Sequence, residues 1–101
     1  MYKYILLKQD GSKKDLGVSK KKKSLEELYR ILQCTFVEII PTDYYKGLGY
    51  GKCTMWGDEE ARFNEKNVRN PHFNVLKGNV LLGELAEWDV VGNILMEQKE
   101  K

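Results

Sequence analysis

Aromatic and basic side chains alternate in the middle of the chain, and this pattern is the one best suited to a binding chemistry. Aromatic rings can stack on nucleic-acid bases or fill a protein interface, and neighbouring cations can contact phosphates or carboxylates. The alternative interpretation is that some of these rings pack in the core. The residues concerned are Tyr44, Tyr45, Lys46, Tyr50, Lys52, Trp56 and Arg62.

Asparagines recur every three or four residues just after this stretch. If the segment were helical, their amides would lie on one side and offer donors and acceptors suited to bases or to a peptide backbone. Asparagine also caps helices and fills turns, so a purely structural role is the alternative. The residues are Asn64, Asn67, Asn70 and Asn74, and we place Asn67 and Asn70 in the predicted binding site.

The formal net charge of +2 is unevenly distributed. Residues 1–23 hold eight lysines and two aspartates, a net charge of +6, so the rest of the chain carries −4. A basic end could steer the protein toward a polyanion. A solvated loop is the alternative. The densest run is Lys20, Lys21, Lys22 and Lys23.

Residues able to do catalytic or metal chemistry are few and isolated. His72 is the only histidine, and no nucleophile and carboxylate pattern accompanies it. The acidic run at residues 58–60 lacks the alternating ligand spacing of a calcium loop. The glycines between residues 47 and 51 lead into a strand without the lysine–serine pair of a phosphate-binding loop. We therefore predict no catalytic residues, no metal and no cofactor.

The length of 101 residues predicts one domain with a modest core. The apolar run near the N-terminus is too short for a secretory signal, and no run reaches membrane-spanning length. We therefore expect a cytoplasmic protein that does not contact membranes. Cys34 and Cys53 lie among apolar residues and are expected to be buried free thiols.

Local signals predict the elements that must position these residues. Residues 4–7 and 15–18 form a hairpin around the Asp10-Gly11 turn, within a basic segment that spans residues 1–23. Ser24 and Glu27 form a capping box that begins an amphipathic helix. Apolar residues on both faces of residues 35–40 indicate a central strand, and a connector with exposed aromatics leads to a strand at 50–56.

The second half of the chain predicts one more helix and a final strand. Asn70-Pro71 is typical of a helix start, and Gly78 would end that helix. Residues 80–82 are either a short strand or a buried loop, residues 89–96 a strand, and residues 97–101 a fraying tail. The prediction is an α+β domain with one mainly antiparallel sheet covered by two helices. We expect the apolar faces of the first helix and of the two strands after it to be buried together in one cluster, formed by Leu25, Leu28, Leu32, Val37, Ile39 and Met55.

The order of these features resembles the domain-of-unknown-function family 3846. The resemblance covers residues 24–96, and it implies a viral or mobile-element accessory protein, because the family's members are small proteins of phages, haloarchaea, plasmids and large DNA viruses. It implies no catalytic residue. The chain has Ala61 where the family usually has glycine. The motifs are the strand 36–40, the turn 58–60 followed by Arg62-Phe63, Asn70 before a helix, and residues 89–93 before the last strand.

Three hypotheses about function follow. The first is a non-enzymatic accessory protein that binds a host protein or a nucleic acid, through the basic segment and the aromatic connector. The second is a small metal-dependent enzyme that acts on a nucleotide, with the acidic turn holding the metal and the asparagines holding the base. The third is a structural or assembly subunit, for which we expect an extensive apolar surface.

Overall fold

A five-stranded antiparallel sheet organises the protein in the computed structural model, which describes residues 1–73 and 89–100. The chain's last strand lies in the middle of the sheet, between the first strand and the fourth. The prediction of an α+β fold with one antiparallel sheet is therefore confirmed. The strands are β1 (Tyr2–Leu7), β2 (Lys13–Ser19), β3 (Val37–Ile39), β4 (Thr54–Asp58) and β5 (Ile94–Lys99), in the order β2-β1-β5-β4-β3.

Within the described residues one α-helix, α1 (Leu25–Leu32), covers one face of the sheet. Its predicted capping box is confirmed: the Glu27 amide donates to Ser24 Oγ at 3.3 Å, and the Ser24 amide donates to Glu27 Oε1 at 3.4 Å. That second bond lowers the pKa of the Glu27 carboxyl. The helix ends at Gln33, whose backbone is left-handed with φ of 54°.

The second predicted helix is not confirmed in the described residues. Residues 71–73 form a turn, and Asn70 Oδ1 accepts the His72 amide at 2.9 Å as a capping side chain would. The rest of that predicted helix and the element at residues 80–82 lie outside the described residues. Two short 3-10 turns, Thr42–Tyr44 and Ala61–Phe63, flank β4.

The sheet is buried on both faces, so the core consists of two clusters. The single buried set predicted from the sequence is wrong, because alternate residues of a strand face opposite sides. The cluster under α1, which we call the helix-side cluster, consists of Tyr4, Leu6, Leu28, Leu32 and Leu95. The opposite cluster, which we call the loop-side cluster, consists of Leu7, Ile40, Tyr45, Met55, Phe73, Val90, Ile94 and Met96.

Three strands differ from the prediction. Among the described strands β3 lies at an edge of the sheet and not at its centre, and Ile39 is exposed there, as is Leu25 on α1. β4 covers Thr54–Asp58 instead of residues 50–56. Residues 97–99 belong to β5 instead of a fraying tail, and Glu97 is buried. β5 continues this far because β1 pairs with it along its whole length, from Leu7–Ile94 to Tyr2–Lys99.

Both cysteines are free thiols, as predicted, although each is half-buried. Cys34 packs against the helix-side cluster and Cys53 against the loop-side cluster. Burial raises the pKa of both thiols. Neither is therefore primed as a nucleophile.

Candidate functional site

In the part of the chain that the structure describes, the outer edge of β3 is an open strand edge. The Ile40 amide donates to the Met55 carbonyl at 2.8 Å, and the Glu59 amide donates to the Phe36 carbonyl at 3.0 Å. Residues 36, 38 and 40 therefore turn their backbone groups toward β4. Because this direction alternates in an antiparallel pair, the N–H and C=O groups of Val37 and Ile39 point away from the sheet. No backbone partner for them lies within residues 1–73 and 89–100.

Exposed apolar side chains surround this edge. Ile39 is 57% exposed, Phe36 53% and Phe63 83%. Phe63 lines a shallow cleft together with Thr35 and Asp58, next to the start of β3. Because side chains alternate along a strand, Phe36 and Ile39 project to opposite faces of the sheet, so exposed apolar side chains lie on both sides of this edge.

The surroundings of the β3 edge are negatively charged. Asp58 lies opposite Val37 in the sheet. The backbone amide of Glu59 donates to the carbonyl of Phe36, the residue before Val37. Burial raises the pKa of the Glu38 carboxyl, the nearby Glu59 raises it further, and Arg62 opposes the shift. These effects indicate that acidic groups outweigh basic ones around Glu38.

A cavity of about 320 Å³ opens beside Glu38 on the loop side of the sheet. Its walls combine apolar groups with charged ones, and among the described lining residues four carry carboxylates, whereas Arg62 is the only basic one. The cavity therefore suits a ligand with a cationic head and an apolar stem. Gly57 helps to shape the floor, because a Cβ there would meet the Ile94 side chain at 2.9 Å. The lining includes Glu38, Ile40, Tyr44, Asp58, Arg62 and Asp89.

The opposite edge of the sheet, β2, is protected. The pairing of β1 with β2 shifts register between Tyr4 and Ile5, and Gly17 has a φ of +84°. The Asp15 carboxylate accepts the Gly17 amide at 2.7 Å. A bulge and lysines, such as Lys13 at the start of the strand, are common ways of preventing edge pairing. β3 has no such bulge.

The predicted aromatic surface is not assembled. Tyr45 is buried, contrary to the prediction of an exposed connector, because residues 42–53 fold back over the loop-side cluster. Tyr50 donates its hydroxyl to the His72 carbonyl at 2.7 Å and packs against Phe73. Trp56 lies on the other face of the sheet, in contact with the helix-side cluster. The half-buried Tyr44 packs against the loop-side cluster, and Lys46 is exposed.

The predicted polar binding residues bond to the protein's own backbone. Arg62 donates to the Asp89 carbonyl, and Asn67 Nδ2 donates to the Ala61 carbonyl at 3.0 Å. Asn70 is fully buried, and its Nδ2 donates to the carbonyls of Leu7 at 2.9 Å and Gly92 at 2.8 Å. The Asn67 amide therefore holds its loop against the turn at Ala61–Phe63, and the Asn70 amide holds its loop against β1.

The lysine run is partly tied to the core. The Lys23 amide donates to the Tyr4 hydroxyl at 2.8 Å, and that hydroxyl donates to Glu97 Oε2 at 2.6 Å. Lys22 lies 3.7 Å from the same carboxylate. Lys20 and Lys21 are exposed. Lys22 and Lys23 therefore attach this run to Tyr4 and Glu97, whereas Lys20 and Lys21 are solvent-exposed.

Replacing Tyr4 with phenylalanine should lower the free energy of unfolding by about 1.5–3 kcal/mol, the usual contribution of a hydrogen bond to a charged group. The reason is that buried Glu97 loses its shortest hydrogen bond while keeping its charge. Urea denaturation at neutral pH measures the change. An unaltered midpoint would contradict the anchoring role of Tyr4.

Tyr4 should also make stability fall at alkaline pH. Burial and the hydrogen bond to Glu97 raise the pKa of Tyr4 to about 12, above its ordinary value of about 10. Above pH 10 the unfolded chain releases this proton while the native protein keeps it, so stability is lost between pH 10 and 12. The Tyr4→Phe variant should show a shallower loss in that interval. Parallel curves for the two proteins would contradict this assignment.

Two further observations concern metals and membranes. In the described ranges, no three side chains of histidine, cysteine, aspartate or glutamate come close enough together to share a metal ion. The helices in the described part of the chain are all too short or too polar to span a bilayer.

No protein-family model, curated protein or solved structure matches this chain. The relation to the domain-of-unknown-function family 3846 therefore stays a prediction.

Sequence reasoning missed the residues of the β3 edge as a site. A signal was present, because a charged residue inside a short apolar strand, here Glu38, is typical of edge strands. Pro41 directly after the strand also favours an edge position.

Proposed function

We propose that this chain is a non-enzymatic binding protein that captures an extended segment of a partner protein along the open edge of β3. The outward backbone groups of Val37 and Ile39 carry this proposal. They offer two donors and two acceptors, as many as a short added strand needs. The exposed side chains of Phe36, Ile39 and Phe63 add apolar area that such a partner would bury.

The charge of this edge favours a protein partner over a nucleic acid. Glu38, Asp58 and Glu59 would repel a phosphate backbone. Among the predicted nucleic-acid contacts, Lys22 and Lys23 already have partners in the protein. The proposed enzyme on a nucleotide is less well supported, because it needs free asparagine amides, and those of Asn67 and Asn70 bond to backbone carbonyls.

The biological source and the cellular location are also part of this proposal. The resemblance described above suggests an accessory protein of a virus or mobile element, acting on a host protein in the cytoplasm.

The sharpest test replaces Ile39 with proline. The Ile39 amide points away from β4, so proline removes a donor from the open edge without removing one from the sheet. A phage-displayed library of short random peptides should be enriched on the wild-type protein and not on Ile39→Pro. The matched control, Ile39→Val, keeps the amide and should behave like wild type.

The control measurements separate loss of binding from loss of structure. Ile39→Pro should keep the circular dichroism spectrum of the wild type, which shows that it is folded. Ile39→Lys provides a second variant, which keeps the backbone amide but removes the apolar side-chain contact. Equal enrichment on wild type and Ile39→Pro would refute strand addition. Binding of DNA or RNA that weakens steeply with salt, and no peptide enrichment, would support the nucleic-acid hypothesis instead.

A further inference from the structure

We infer that the segment captured by β3 is basic and places a lysine or arginine opposite Glu38, with its side chain entering the cavity beside that residue. This inference rests on the proposed strand addition and specifies the chemistry of the partner.

The alternation of side chains fixes where such a residue would lie. Ile40 belongs to the loop-side cluster, and Val37 packs against the helix-side cluster. Glu38, which lies between them and lines the cavity, therefore faces the loop side. On a strand added to β3, the residue directly opposite Glu38 projects to the same side. Its side chain consequently meets both the carboxylate and the mouth of the cavity.

The cavity fits a long cationic side chain. Its volume is about 320 Å³, and Ile40, Val90 and Ile94 provide apolar walls for a methylene stem. Long basic residues commonly bury the stem along such walls and leave the charged head at a polar rim. Here the rim carries the Glu38 carboxylate, and Arg62 also lines the cavity. A cation placed beside Glu38 would offset the repulsion from Glu59 and Asp58 that contributes to the raised pKa of Glu38.

The same charges argue against a second copy of this chain as the occupant. Two β3 strands paired antiparallel through Val37 and Ile39 would place one Glu38 directly across from the other. Like charges directly opposite each other destabilise a strand pair. The other edge, β2, is bulged and so pairs poorly with a straight strand. A different, basic chain is the occupant that these features favour.

Three synthetic peptides test the inference. They share alternating valine and threonine flanks and carry lysine, norleucine or glutamate at the central position. Fluorescence anisotropy at low salt should rank their affinities lysine, norleucine, glutamate. A cross-strand charge pair contributes about 0.2–1 kcal/mol, which corresponds to a gain of up to about fivefold for lysine over norleucine.

Variants of the protein complete the test. Glu38→Lys should reverse the ranking, so that the glutamate peptide binds best. Glu26→Gln, which changes an exposed acidic residue on α1, is the matched control and should leave the ranking unchanged. Thermal unfolding establishes that both variants are folded.

The possible outcomes separate this inference from the proposed function. Equal affinity for the three peptides, together with loss of binding in Ile39→Pro, would overturn the basic partner and leave strand addition intact. Absence of binding of all three peptides to the wild type would refute both. A dimer in sedimentation experiments that dissociates when the lysine peptide is added would identify a second copy as the native occupant and overturn the inference.

Discussion

Replacing Asn70 with alanine should lower the free energy of unfolding by roughly 3 kcal/mol or more. The side chain is fully buried and bonds to the carbonyls of Leu7 and Gly92 and to the amide of His72. Alanine leaves these groups without their partner, and each buried polar group left unsatisfied costs about 1–3 kcal/mol. Chemical denaturation with an unchanged m value measures the loss.

Asn67 provides the matched control for this change. Its side chain makes one hydrogen bond, to the Ala61 carbonyl, and is half-buried. Asn67→Ala should therefore cost about 0.5–1.5 kcal/mol, the usual net contribution of a single hydrogen bond. Equal losses for the two variants would show that the position of Asn70 between β1 and residues 91–92 has no special importance.

Leu28→Ala should cost about 2–5 kcal/mol, because it removes a large side chain from the middle of the helix-side cluster and leaves a cavity. Leu28 is 1% exposed, whereas Leu25, one turn earlier on the same helix, is 53% exposed. Leu25→Ala should change stability by no more than about 0.5 kcal/mol. Similar denaturation midpoints for both variants would contradict the packing of α1 on the sheet.

Features determined by neighbouring residues could be predicted from the sequence. The capping box of Ser24 and Glu27 and the turn at Asp10-Gly11 depend on groups within a few residues of each other, so their residue types identify them. The hairpin of β1 and β2 and the presence of an antiparallel sheet follow from the same local patterns.

Features determined by distant partners could not be predicted. The amide of Asn70 bonds to a carbonyl 63 residues earlier, and the carboxylate of Glu97 accepts from a hydroxyl 93 residues earlier. No pattern or spacing in the sequence indicates that such distant residues form hydrogen bonds with each other. For β3 the local signals conflict: Phe36 and Ile39 suggest burial by residue type, whereas Glu38 and Pro41 favour an edge position. The order of strands decides between them, and nothing in the described chain covers this edge.

The central position of β5 has a consequence for how the protein is made. β1 and β2 form one ladder, β3 and β4 form another, and β5 is the strand that joins them. A ribosome releases the chain from its N-terminus, so the two ladders emerge well before the strand between them. The sheet can close only after residues 94–99 have left the exit tunnel. Until then the nascent chain exposes apolar strand edges, the kind of surface that chaperones protect during synthesis.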